Sequence, residues 1–396
     1  MSNIQKNNKP NVPNLRFPEF SGEWMSCQLG KIASLSKGEG ISKDQRSING
    51  NPCILYGELY TTYSTEIIDK VISKTNLPEK GLVKSKANDV IIPASGETAI
   101  DISTARCVTR SDVFLGGDLN IIRLKGQDGK FFSYQLNGVR KKDIAKVAQG
   151  VSIVHLHGSD LATVQVNYPS IGEQQKISGF LSLIDQRIAI QNRIIEDLKK
   201  LRTTLCELMF NQSAPNYRLG DIIEQVSVRN KDEDSLPILS VNNQLGFIEQ
   251  SEQFENRIVA SEDTSNYKIV FINDFAFNPA RINVGSIARL KKIEKGIVSP
   301  MYICFRIKHG ILPEYLEPFF RTKFFHTEMD KRLEGSVRMC LSFEGLCNIP
   351  IYIPAVKEQS HAAQRILKLN EIIEIEQSIL NNHLARKNYL LGKMLI

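Results

Sequence analysis

The chain is written twice: a shift of 185 residues carries Pro169, Glu173 and Gln174 onto Pro354, Glu358 and Gln359. The same shift moves an apolar seam, Leu181, Ile184, Ile188, Ile195, Leu205 and Met209, onto Ile366, Leu369, Ile373, Leu380, Leu390 and Met394. Upstream it takes Asn88-Asp89 to Asn273-Asp274, Gly150 to Gly335, Leu156 to Leu341 and Leu161 to Leu346, so globular segments are copied along with the helical ones. A period this long is one globular module plus one helix, because solenoid repeats run only about 20 to 50 residues. Between these landmarks the copies differ widely. One scaffold with two different surfaces suits a protein that makes two different readings.

A chain of 396 residues with 42% hydrophobic and 23% charged residues is ordinary for two soluble domains, each long enough to bury a core. No apolar run approaches the roughly 20 residues that cross a bilayer. The opening MSNIQKNNKPNVPN lacks the apolar stretch of a signal peptide, so the expected location is the cytoplasm, with no membrane partner. Seven scattered cysteines, without a C-x-x-C pair, are expected to be reduced and mostly buried. The net charge of +7 is patchy: residues 101–150 hold nine Lys or Arg against five acids, and residues 201–250 hold four against seven. The dense patches, Arg140-Lys141-Lys142 with Lys146, and Arg321, Lys323, Lys331, Arg332 and Arg338, lie at matching places before or across the Gly150 and Gly335 turns. Base clustered in that way is the footprint expected of a phosphate-binding face.

Along the chain, residues 1–14 are polar and rich in Pro and Asn, which predicts a flexible arm. Val90–Ile92, Asn120–Leu124, Tyr267–Phe271 and Tyr302–Ile307 read as strands, while Phe131–Arg140 and Tyr315–Phe325 carry helical spacing. Each module, 15–168 and 213–353, is therefore mixed α/β, giving an α+β chain. The segments between and after them, 169–212 and 354–396, are predicted as long helices, because no proline interrupts Glu173 to Phe210 or Glu358 to Leu395. Their seams step by three and four residues, the pattern of helices that pack as a coiled coil. Some 36 residues at about 1.5 Å each make a rod of roughly 54 Å. Antiparallel packing of the two rods would make them a spacer between the modules, related by a pseudo-two-fold axis. Duplex DNA has local two-fold symmetry too, and two-fold readers place their halves about 34 Å, or a multiple, apart. Two unlike modules would then read a split, asymmetric site.

Side-chain chemistry limits the candidate contacts, since Arg and Lys pair with guanine and Asn and Gln with adenine, whereas phosphate contacts only position the protein. In the first module the base-edge candidates are Lys146, Gln149, Ser152 and His155, with Arg140 and Lys141 on phosphates. In the second they are Arg281, Asn283, Ser336 and Arg338, with Lys331 and Arg332 on phosphates.

The texts GVSIVHLHGSDLATVQVNYPSIGEQQKISGFLSLIDQRI and GSVRMCLSFEGLCNIPIYIPAVKEQSHAAQRILKLNEII, with the openings NLRFPEFSGEWMSCQLGKI and NYRLGDII and the run FNPARINVGSIARL, resemble the specificity subunit of a Type I restriction-modification enzyme. The resemblance covers nearly the whole chain and rests on the doubled architecture. It implies two target-recognition domains that each read half of a split DNA site. Helices would hold them apart while docking two methyltransferase subunits, and a restriction and translocase subunit would join them. S-adenosylmethionine, ATP and Mg would belong to those partners and no cofactor to this chain. At the start of the second helix, His361 and Ala362 stand where the first has Lys176 and Ile177, a departure from the repeated pattern.

The residues themselves carry no catalytic signature. There is no G-x-x-x-x-G-K-[ST] loop and no Gly-rich fingerprint after a strand. Asn278-Pro279-Ala280-Arg281 resembles the Asn-Pro-Pro-aromatic element of adenine methyltransferases but differs at its third and fourth positions. His155-x-His157 lacks further ligands at metal spacing and reads as a hydrogen-bonding or DNA-facing pair. A coiled-coil adaptor whose modules bind protein or RNA is the alternative from another class. Strongly salt-dependent binding to duplex DNA separates the two.

Overall fold

Pro169 and Pro354 hold the chain extended, and two residues later the long helices begin, Ile171–Asn211 and Val356–Met394, in a computed structural model of the protein. The structure describes residues 10–150, 153–211, 213–231, 236–243, 245–250, 264–335 and 338–396. Contacts divide the chain into two units: one runs to Asn192 and adds Ser378–Ile396, and the other is Arg193–Gln377. Each long helix thus begins in one unit and ends in the other.

In the first unit a five-stranded sheet has the order Ala33–Lys37, Leu119–Leu124, Asp89–Pro93, Arg106–Val108, Ile67–Ile68. The strand Asp89–Pro93 is buried along its whole length, which is why Val90-Ile91-Ile92 is an unbroken apolar run rather than an alternating one. A second five-stranded sheet contains Asn51–Ile54, Phe114–Leu115 and Val83–Lys84 in neighbouring places. Helix Gly129–Asn137 covers the first sheet and buries Phe131, Phe132, Tyr134 and Leu136. Into this core come Leu181 from the first long helix and Met394 and Leu395 from the end of the second. The backbone carbonyl of Lys393 accepts from the Leu15 N–H at 2.9 Å. The described part of the N-terminal arm is also held, with Trp24 N–H on the Asn11 carbonyl at 2.8 Å and Pro13 buried, while residues 1–9 lie outside the described residues.

The second unit repeats this plan with shorter sheets. Its strands Ile223–Val226, Ile303–Ile307, Phe275–Phe277 and Ile287–Arg289 follow the order of the first four strands of the large sheet above, and Ile238–Asn242, Lys295–Val298 and Lys268–Phe271 match the three of the other sheet. The core is aromatic: Phe275, Phe277, Phe305, Tyr315, Phe319 and Phe325 are all buried together with Phe210 of the first long helix. The helical piece expected over Tyr315–Phe325 is broken into Pro313–Leu316, a 3-10 turn Glu317–Arg321 and Lys323–Asp330. The reason is local. Pro318 removes a backbone donor and Thr322 takes up an N-cap position, its hydroxyl accepting from Phe325 N–H at 3.1 Å.

The long helices run antiparallel within each unit. Lys387 Nζ meets Asp185 at 2.7 Å in the first, and Arg202 Nη1 meets Asn370 Oδ1 at 3.1 Å in the second. The shift of 185 turns one pair into the other with the partners exchanged, Asp185 into Asn370 and Arg202 into Lys387. Every seam residue named above is buried or half-buried. The expected α+β class, with two similar mixed modules and two long antiparallel helices, is the fold observed.

The copied glutamines explain how helix and module are joined. Gln174 Oε1 accepts from Asp128 N–H at 3.0 Å while its amide donates to Pro169 O at 2.8 Å. Gln359 does the same work with Leu312 N–H at 2.9 Å and Pro354 O at 3.0 Å. Both glutamines are buried. Gln174→Leu leaves the buried Asp128 N–H unpaired and is expected to cost the first unit about 1–3 kcal/mol. Thermal unfolding of Gln174→Leu beside Gln359→Leu checks this, and equal losses in the respective units are the expected result.

Candidate nucleic-acid interface

In both modules two loops are tied together at the same place. In the first, Gln149 and His155 exchange backbone hydrogen bonds of 2.8 and 2.7 Å, and Leu156 N–H then donates to Ala94 O at 2.8 Å. In the second, Glu334 and Cys340 exchange bonds of 2.9 and 2.8 Å, and Leu341 N–H donates to Pro279 O at 3.1 Å. All four positions obey the 185-residue shift. The turn needs glycine, because Gly150 and Gly335 sit at φ of 123° and 119°, and a Cβ there would lie 2.2 and 2.4 Å from the carbonyl oxygens of Ile153 and Arg338. Leu156 and Leu341 anchor the construction in the core, both fully buried. A repeated frame therefore presents tips of unrelated sequence.

The frame sorts the candidate residues. Around the second turn, Arg281, Asn283 and Arg338 are exposed, the first two on the loop that follows Phe275–Phe277. Around the first, Lys146, Gln149 and His155 are exposed. The His155 ring stacks on that of His157 at 6.5 Å and 11°, and Gln149 Nε2 donates to Asp160 at 3.2 Å. Ser152 and Ser336 lie outside the described residues.

The residues assigned to phosphates are engaged elsewhere. Arg140 pairs with Asp143 at 3.3 Å with its side chain 18% exposed, and Lys146 shares that carboxylate at 3.6 Å. Lys141 is half-buried, and burial followed by repulsion from Arg106 lowers its affinity for a proton. Lys331 and Arg332 both hold Glu328, at 2.5 and 2.8 Å, which lowers the proton affinity of that carboxylate. Ion pairs this exposed exchange readily for phosphate at Lys146 and Lys331. For Arg140 and Arg332, three-quarters or more covered, that exchange would need the side chain to leave its pocket.

One loop was not singled out from sequence. Ala94 and Pro279 are equivalent, so the counterpart of the Arg281–Asn283 loop is Gly96-Glu97-Thr98 in the first module. Its strand Ser95–Gly96 pairs with Val154–His155, which sets the exposed Glu97 and Thr98 on a loop beside His155. The 185-residue shift applied to Arg281 finds it directly; the absence of base in the loop is what hid it.

The buried thiols have no part in this surface. Burial pushes Cys53 up to about 11 and Cys107 and Cys304 up to about 12. Such thiols are inert.

Residues 21–200 match the family model described as the Type I restriction modification DNA specificity domain. The specificity subunit of the Type I restriction enzyme MjaVIII of Methanocaldococcus jannaschii is 22% identical over 426 aligned positions, covering 95% of this chain and 92% of the relative. The crystal structure of a Type I restriction-modification S subunit from M. genitalium shares the fold with a TM-score of 0.60 at 17% identity, over 97% of this chain and 99% of that one. A chain from a structural study of complex assembly and conformational transition of the type I R-M system gives 0.56 at 12% identity, over 94% and 97%. None of these relatives supports the adaptor reading. Residues 21–200 thus match a Type I restriction modification DNA specificity domain, and nearly the whole chain is similar in sequence to a Type I specificity subunit and in fold to a Type I S subunit.

Proposed function

We propose that the two modules read the two halves of a split, asymmetric duplex DNA site, each through the pair of loops tied at Leu156 or Leu341. The observation that carries this reading is the frame itself: its backbone bonds are repeated while its tips, Gly96-Glu97-Thr98 with His155 against Arg281-Ile282-Asn283 with Arg338, are not. Lys146, Gln149 and Ser152 in the first module and Ser336 in the second complete the proposed base-edge set. Lys331 and, on side-chain movement, Arg140, Lys141 and Arg332 would serve phosphates. The long helices would dock two methyltransferase subunits, and a restriction and translocase subunit would join the assembly. In support, Leu183, Ile190, Leu201 and Leu208 on the first long helix and Ile372, Ile375 and Leu384 on the second are exposed although the seam behind them is filled. S-adenosylmethionine, ATP and Mg would be held by those partners. The setting would be the cytoplasm, and among the described residues no helix is long and apolar enough to cross a membrane.

Co-expression with the host's modification subunits, followed by single-molecule mapping of methylated adenines, tests the reading. One split motif with a fixed gap is the expected outcome, and an assembled complex that yields no motif would overturn it. Arg338→Ala is expected to weaken binding at one half-site by about 1–3 kcal/mol if the guanidinium reads a base. An equal loss on every sequence, with a shallower salt dependence, would instead make it a phosphate contact.

A further inference from the structure

The first module meets the long helices through a buried polar knot. Lys387 Nζ, on the second long helix, lies 2.6 Å from Glu66 of the module and 2.7 Å from Asp185 of the first long helix. Tyr134 of the module donates its hydroxyl to the other oxygen of Asp185 at 2.6 Å, and its ring lies 5.8 Å from the ammonium. Arg106, the charge next in line, is tied down by the carbonyls of Leu59 at 3.1 Å and Tyr63 at 2.8 Å. Within this knot the module holds the helix pair by two buried polar links, Glu66 to Lys387 and Tyr134 to Asp185, in addition to the Gln174 bonds at the start of the first long helix, and the helices hold each other through Asp185 and Lys387.

The second unit has no such knot among its described residues. The shift of 185 replaces Tyr134 by Phe319, Asp185 by Asn370 and Lys387 by Arg202. Arg202 keeps the helix-to-helix bond to Asn370, while Phe319 packs on Phe210 with ring centres 5.0 Å apart. A greasy contact is tolerant of small rotations. A charged, hydrogen-bonded one is directional, since its strength collapses with poor geometry.

We infer that Glu66 and Tyr134 are positioning residues: they fix the pose of the first module on its helices, so that reading of the first half-site alone depends on the knot. Burial is what allows this, because the same pair at the surface would be screened and worth little. The inference rests on the proposed reading of a split DNA site.

The test uses the full chain in its modification complex, with the methylated motif of the parent defining both half-sites. Glu66→Gln with Tyr134→Phe removes the module's charge from the first link and the hydroxyl from the second, and phenylalanine at the second position is what the other unit already accommodates. Competition binding with duplexes randomised in one half-site is then measured for the parent, this double variant and Lys387→Arg. Discrimination at the first half-site is expected to fall 10-fold or more, at the second to stay within 2-fold, and Lys387→Arg to behave as the parent. Equal losses at both half-sites, or no loss at either, would overturn the inference even though the parent reads DNA. A parent complex with no motif would instead sink the reading beneath it.

Discussion

Replacing Lys387 with methionine is expected to destabilise the first unit by about 3–5 kcal/mol, because it strands two carboxylates, Glu66 and Asp185, in a site from which water is largely excluded. Burial alone would disfavour the lysine ammonium, but attraction to Glu66 and Asp185 outweighs it and raises its proton affinity above the ordinary 10.5. The sign of the pH dependence follows. A group whose value is raised on folding adds stability that is complete below its unfolded value and lost as pH climbs through the folded one. The parent should therefore lose stability in the first unit above about pH 10.5, whereas Lys387→Met should be spared that alkaline loss. Glu66 is also raised, first by burial and against the pull of Lys387, so it costs stability at neutral pH. Glu66→Gln should leave the unit at least as stable as the parent at pH 7. Hydrogen exchange resolved by unit, followed across pH, measures both effects; a uniform change in the two units would contradict them.

Phe319→Ala is expected to cost the second unit about 3–5 kcal/mol, the usual toll for deleting a buried aromatic ring and leaving a cavity. The ring is fully buried and makes edge contacts with Phe210, Phe320 and Phe325 at 5.0, 5.9 and 5.5 Å. No charge enters or leaves, so the loss should be flat between about pH 5 and 10, unlike that of Lys387→Met. Denaturant unfolding with exchange detection distinguishes the two. A loss below 1 kcal/mol would mean that the aromatic cluster closes over the gap.

Much of this was legible in the residue order because the duplication supplies its own control. Any residue copied through 185 positions while its neighbours change, such as Gln174, Gly150 or Leu156, is held by backbone geometry, and each proved to bond or bury as its copy does. The long helices were legible from a proline-free three-and-four spacing. The knot was not. Glu66 sits just before a short strand, 119 residues ahead of Asp185, and Lys387 lies 202 residues beyond Asp185, with no periodicity to link them. Charge density also leaves one thing unseen, since it favours Arg140 and Arg332 without showing that Asp143 and Glu328 hold them. Local ion pairing of that kind depends on side-chain rotamers, which composition does not reveal.

That Met394 and Leu395 lie in the core of the first unit has a bearing on synthesis. Domains usually fold as they leave the ribosome, amino-terminal part first. Here the first core is not closed until Ser378–Ile396 has been made, some 186 residues after Asn192. At about 5–20 residues per second this is a wait of roughly 10 to 40 s, during which the second unit is made while the first stays open. A nascent first module with an open apolar wall is a substrate for chaperones, and a premature stop that removes only the last turn would leave that wall open for good.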